Sequence, residues 1–152
     1  MLLDTRHFGS IEAEEDKMIR FEHGLPGFPD STRFLLIRNE EDDDSQIAGL
    51  FWWLQSVDET DTAFLLLDVT KLLPEYNPLV DEDDITGLGE YDPDSFLVYN
   101  IANVPEDIKN MTVNLKAPVV INAKLKRGMQ VISSNEEYEI RHRIFDELAQ
   151  AG

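Results

Sequence analysis

At 152 residues the chain is long enough for one domain with its own core, and a hydrophobic content of 42% marks it as a folding sequence. It contains no cysteine, which excludes disulfide scaffolds, thiolate metal sites and thiol nucleophiles. The formal net charge of −18 lies wholly in residues 1–100, where 24 Asp+Glu face 6 Lys+Arg; residues 101–152 hold 7 of each.

Such a field repels nucleic acid and anionic lipid and speeds encounter with basic partners, by roughly ten- to a thousandfold in favourable cases. Acidity that serves only solubility is the plainer alternative. No apolar run approaches the roughly 18 residues of a membrane span, and the acidic N-terminus is unlike a signal peptide. The chain reads as a cytoplasmic protein.

In chain order, residues 1–21 suggest two or three short strands: Leu3, Thr5 and His7 alternate with Asp4 and Arg6, Gly9 punctuates, and Met18–Phe21 follow. The stretch 22–30, "EHGLPGFPD", is a loop whose Gly24, Pro26, Gly27 and Pro29 set a backbone path. "RFLLIR" (33–38) is a strand and "NEEDDDS" (39–45) a solvated acidic loop. "LFWWLQS" (50–56) and "AFLLLD" (63–68) are strands separated by a polar turn; the second is apolar on both faces and should be central. In the first, Leu50, Trp52 and Leu54 share one parity, which leaves Trp53 on the less buried face. Either a covering segment packs on Trp53, or it is an exposed interface anchor.

"VDEDDITGLG" (80–89) predicts a short helix with Asp81 as N-cap, acids in its first turn and glycine at its end. Residues 95–104 are a strand with Leu97, Tyr99 and Ile101 on one face. In "TVNLKAPVVIN" (112–122), Val113, Leu115, Ala117, Val119 and Ile121 fall on the core parity. Thr112, Asn114, Lys116, Pro118 and Asn122 fall on the wet one, with Val120 the apolar exception. Pro118 cannot donate to a ladder and requires an edge, a bend or a bulge. "RGMQVIS" is a glycine turn and a strand, and the tail after Arg143 a helix with Ile144, Phe145 and Leu148 at helical spacing. Many strands at short intervals with little helix predict one mainly β domain over residues 1–152: a compact antiparallel β-barrel with one or two short helices.

Chemistry is poorly represented. No serine sits in a nucleophile-elbow pattern with His7, His23 or His142. "DEDDITGLG" fails as a calcium loop, because Ile85 takes a ligand position and the glycine is misplaced. No glycine-rich phosphate loop is present. Neither a catalytic centre nor a cofactor or metal site is expected. The enzyme reading that survives uses paired carboxylates, such as Asp81 and Asp84, on a cationic substrate.

The segments "RHFG" (6–9), "HGLPGF" (23–28), "FWWLQSVD" (51–58), "EYNPLVDEDDITGLG" (75–89), "NVPED" (103–107), "TVNLKAPVVIN" (112–122) and "GMQVI" (128–132) resemble the flagellar assembly factor FliW family. The likeness runs in register from about Arg6 to Ile132; the acidic loop and the tail after Arg143 are less typical. It implies a non-enzymatic β-barrel that binds the translational repressor CsrA, relieves repression of flagellin messenger RNA, and binds flagellin in competition. It implies no direct contact with nucleic acid or membrane, and a monomer when unbound. Antagonism either covers the RNA groove of CsrA or acts from beside it, and dispersed acids among aromatics favour a mixed protein interface. For flagellin, an amphipathic segment in an apolar groove is expected, with Trp53, Tyr76, Leu79 and Val80 as lining, and for CsrA the acidic contact is expected at Asp81, Glu82, Asp83 and Asp84. Gly24, Pro26, Gly27, Asn114, Lys116 and Pro118 are read as structural, the asparagines bonding to neighbouring turns. A barrel domain without these partners is the remaining alternative.

Overall fold

A computed structural model describes residues 1–39 and 48–151. The acidic stretch from Glu40 lies outside the described residues. Strands β1 (Leu2–Thr5) and β2 (Gly9–Glu12) form a separate hairpin. The main sheet contains β3 (Ile19–Arg20), β4 (Arg33–Arg38), β5 (Phe51–Ser56), β6 (Ala63–Leu67), β7 (Phe96–Asn103), β8 (Thr112–Val113), β9 (Val119–Asn122), β10 (Arg127–Gln130) and β11 (His142–Arg143). Two α-helices are present among the described residues, α1 (Val69–Leu72) and α2 (Phe145–Ala151). The segment 82–88 is helical as the capping pattern required, but it winds as a 3₁₀ helix.

Pairing runs β7–β6–β5–β4–β3–β10–β9 and returns to β7, so seven strands close a barrel. Every pair around it is antiparallel except β3–β10, which is parallel, with Arg20 opposite Arg127. Glycine permits that seam: a Cβ on Gly128 would stand 2.5 Å from the ring of Phe21. Any other residue would drive its Cβ into the buried Phe21 ring, which would have to shift.

The barrel interior holds Ile19, Phe21, Phe34, Leu54, Leu66, Tyr99, Val119 and Ile121, with Trp52 and Leu97 packed against them. These are the core parities read from the sequence. β6 is buried on both faces: Leu66 points inward, and Leu67 joins a second cluster with Val69, Met111, Val113, Ile144 and Leu148. α2 packs there through Ile144 and Leu148, so the tail is part of the folded unit.

The stretch 112–122 is not one continuous strand. Val113 lies opposite Ala102 and Val119 opposite Tyr99, so six steps along one chain match three along β7. Three extra residues bulge between β8 and β9, and Pro118 sits at the bulge, where its missing donor costs nothing. Three assignments to the wet side fail: Pro118 is buried at the bulge, and Asn122 and Lys116 are covered by neighbouring segments. Asn122 is buried, accepting from the backbone N–H of Lys124 and Leu125 and donating to Leu88 O at 2.7 Å. Lys116 is half-buried, and its Nζ donates to Asn135 O at 2.6 Å instead of standing in solvent.

Candidate functional site: an apolar groove with an acidic rim

The outer face of β7 and β9 is apolar where a one-sided sheet would be polar. Val98 and Val120 are register partners on that face, with Phe96 beside them. Val120 is the residue that broke the period-two pattern, and this second burial is why.

Residues 76–80 cross beside that face in extended form. Pro74 and Pro78 exclude helix there, and the 134–138 segment staples the chain down. Asn135 Oδ1 accepts from Leu79 N at 2.7 Å, Asn135 Nδ2 donates to Asn77 O at 3.2 Å, and Tyr138 Oη accepts from Asn77 N at 2.8 Å. The 3₁₀ helix over Glu82–Leu88 follows, capped by Asp81, whose carboxylate accepts from Asp83 N at 3.0 Å. Leu88 and Ile85 pack on Val120 and Val131 beneath it.

Between these walls lies a groove of about 430 Å³ lined by Tyr76, Pro78, Val80, Ile85, Phe96, Val98, Pro118 and Val120, with Glu82 at its edge. Tyr91 stands over one end, 64% exposed and edge-on to Phe96 at 5.1 Å. Asp81, Glu82, Asp83 and Asp84 are all exposed; Glu82 lines the groove, and Asp84 lines a second cleft on the other side of the 3₁₀ helix. The arrangement offers an apolar trough flanked by negative charge, suited to a segment that is apolar on one face and basic on another.

Tyr76 contributes through its ring alone, since its hydroxyl is buried. It donates to Leu115 O at 2.7 Å and accepts from Asn100 Nδ2 at 2.9 Å, and Asn100 also donates to Asn114 O. Burial pushes the Tyr76 hydroxyl up to about 12, partly offset by the Asn100 hydrogen bond. Asn114 Oδ1 in turn accepts from Ala117 N at 2.9 Å. Tyr76, Asn100 and Asn114 thus fix the three-residue bulge that places Pro118 in the groove.

The structure brings Tyr76, Val80 and Glu82 together at the groove, places Asp84 at the neighbouring cleft, and separates two others from the lining. Leu79 is 54% exposed and points away from the lining. Trp53 is elsewhere: the turn of the β1–β2 hairpin covers it, with His7 stacked at 5.9 Å and Phe8 edge-on at 5.8 Å. A covering segment, not an exposed anchor, is its environment. The sequence reading missed Phe96, Val98, Tyr91 and Val120; the off-parity Val120 and the apolar run "FLV" were the available signals.

Asp81 and Asp84 are both exposed and do not share an apolar cleft of the kind a general acid requires. Among the described residues, no group of three or more His, Asp or Glu is arranged to hold a metal ion, and no helix is long and apolar enough to cross a membrane.

The loop 24–28 explains its own composition. Leu25 to Phe28 is a tight turn closed by Phe28 N donating to Leu25 O at 2.7 Å, with Gly27 at φ 85° as the third residue of such a turn requires. Gly24 at φ 66° has no room for a side chain, since a Cβ would stand 2.2 Å from Phe28 O.

The family model described as FliW protein matches residues 2–144. The flagellar assembly factor FliW of Thermoanaerobacter pseudethanolicus is 42% identical over 151 residues, covering 99% of this chain and 97% of that protein. That of Caldanaerobacter subterraneus subsp. tengcongensis gives the same identity and coverage. A crystal structure of the flagellar assembly factor FliW superposes with a TM-score of 0.82 at 31% identity, covering 95% of this chain and 96% of that one. With a matching barrel and a family match that spans both the groove and the "GLPGF" turn, the chain belongs to the FliW family.

Proposed function

We propose that this protein is a flagellar assembly factor that works by binding and not by catalysis: it captures an amphipathic segment of flagellin in the groove and antagonises the translational repressor CsrA through its acidic surface. The observation that carries this reading is the apolar trough with Glu82 at its edge and the exposed acidic run 81–84 beside it. An RNA-binding repressor must present positive charge to hold its ligand, and a molecule of net charge −18 attracts it at long range. A flagellin segment inserts apolar side chains at helical spacing between Tyr76, Val98 and Val120. The two partners compete, so free flagellin releases CsrA.

The decisive experiment mixes the purified protein with CsrA on a sizing column and then adds flagellin. Displacement of CsrA is expected, and Val80→Arg should abolish flagellin capture. Co-elution of all three in one complex would overturn the competition, and retention of neither partner would leave an acidic barrel with another role.

A further inference from the structure

On the far side of the 3₁₀ helix, at the parallel seam of the barrel, arginines line up. Arg33, Arg20 and Arg127 are register partners across β4, β3 and β10, so their side chains share one outward face. Like charges directly opposite one another on a sheet are destabilising. Arg33 is neutralised by a forked pair to Asp58, with Nη2 to Oδ1 at 2.7 Å and Nε to Oδ1 at 2.9 Å. Arg20 and Arg127 are exposed, and neither forms an ion pair with a carboxylate of the described residues. Among the described residues, the Arg127 side chain donates only to Gly87 O, at 3.5 Å. In a chain with 31 acids and 13 Lys+Arg, two adjacent guanidinium groups without acidic partners among the described residues are conspicuous.

They line a cleft of about 740 Å³, walled by His23, Gly24 and Pro26 of the tight turn and by Thr86 and Gly87 of the 3₁₀ helix. The rest of the lining bears on what the cleft takes. Glu22 and Asp84 stand on it as well, so its formal charge is close to zero within a strongly negative molecule. A polyanion or a phosphate dianion meets repulsion from the whole protein and from these two acids. A single carboxylate does not need a net positive field. Two guanidinium forks on neighbouring strands can hold its two oxygens by charge-assisted hydrogen bonds, and doing so removes the repulsion between them.

We propose that the cleft between Arg20 and Arg127 is a carboxylate-binding site that receives one Asp, Glu or chain-terminal carboxylate of a protein partner. The site is separate from the apolar groove and does not rest on its occupant.

The test is an NMR titration of the full chain at constant ionic strength, following the Arg Nε–H signals and the Gly128 amide. The probes are the blocked pentapeptide acetyl-Gly-Ser-Asp-Ser-Gly-amide, its Asp→Asn counterpart, and inorganic phosphate. Saturable shifts at Arg20 and Arg127 are expected with the Asp peptide, with at least tenfold weaker binding in Arg127→Gln and no saturable shift from the Asn peptide. Arg20→Lys, which keeps the charge and loses the fork, should weaken binding severalfold while the amide spectrum elsewhere is unchanged. Equal responses to the Asp and Asn peptides, or no response at either arginine, would overturn the site. Tighter binding of phosphate than of the Asp peptide would overturn the choice of carboxylate.

Discussion

The hydroxyl of Tyr76 donates to the carbonyl of Leu115 across 39 positions of sequence, at 2.7 Å and out of solvent. This bond and the one from Asn100 tie the wall of the groove to the bulge that carries Pro118. Tyr76→Phe keeps the ring and removes both hydrogen bonds, leaving Leu115 O and Asn100 Nδ2 each short of one. A loss of roughly 2–3 kcal/mol is expected, since an unsatisfied buried polar group costs about 1–3 kcal/mol. Urea unfolding measures it; a change below about 0.5 kcal/mol would mean that water replaces the hydroxyl and the bulge does not depend on it.

Alkaline pH should act on the same residue. Burial raises the Tyr76 hydroxyl to about 12; burial, followed by the charge of Asp68, raises that of Tyr99 to about 12. A group with a raised folded pKa adds stability that is complete below its unfolded value near 10 and is lost as pH climbs from there toward 12. Unfolding free energy should therefore fall between pH 10 and 12. The fall should be shallower in Tyr76→Phe. Identical slopes in the two proteins would refute a buried, late-ionising Tyr76.

Asp58 gives the opposite sign. Burial pushes its carboxyl up, but hydrogen bonds from the Arg33 side chain and from the Thr32 and Arg33 backbone N–H, with the Arg33 charge, outweigh that and hold it below the usual range. Its contribution is present above the unfolded carboxylate value and disappears as pH drops through the lowered one. Asp58→Asn should cost about 1 kcal/mol at neutral pH, because the pair is partly screened by solvent, and less at acid pH. A pH-independent penalty would assign the effect to packing.

The two glycines of the tight turn should respond unequally to alanine. Both have positive φ, which costs a residue with a Cβ about 1–2 kcal/mol. At Gly27 nothing lies within 4 Å of the added carbon, whereas at Gly24 it collides with backbone at Phe28 and Pro29. Gly27→Ala should lower the melting temperature by several degrees and Gly24→Ala by clearly more. Equal shifts would show that the turn relaxes freely.

Charge reversal locates the acidic contact. Changing Asp81, Glu82, Asp83 and Asp84 to Lys should slow association with CsrA, while reversal of the equally exposed Glu14, Glu15 and Asp16 should slow it much less. Added salt should weaken the wild-type complex, because exposed charges are screened beyond about 8 Å at physiological ionic strength. Stopped-flow rates decide; equal slowing by the two sets of reversals would mean that net charge alone steers.

Much of this molecule was legible in its letters because period-two burial is a local property. The inward pairs Trp52 and Leu54, Leu97 and Tyr99, and Val119 and Ile121 follow from counting by twos, and the cap at Asp81 follows from its own hydrogen bond two residues on. Glycine and proline likewise announce a tight turn at residues 24–28, since φ preference belongs to the residue itself. What tertiary structure alone decided is which surfaces meet. The covering of Trp53 by His7, the burial of Asn122 against Leu88, the tethering of Lys116 to Asn135, and the alignment of Arg20 with Arg127 all join residues distant in sequence. Periodicity says which side of a strand faces in, but not what is brought against the other side. That depends on how the sheet closes, and here it closes through one parallel seam made possible by Gly128 lying on Phe21.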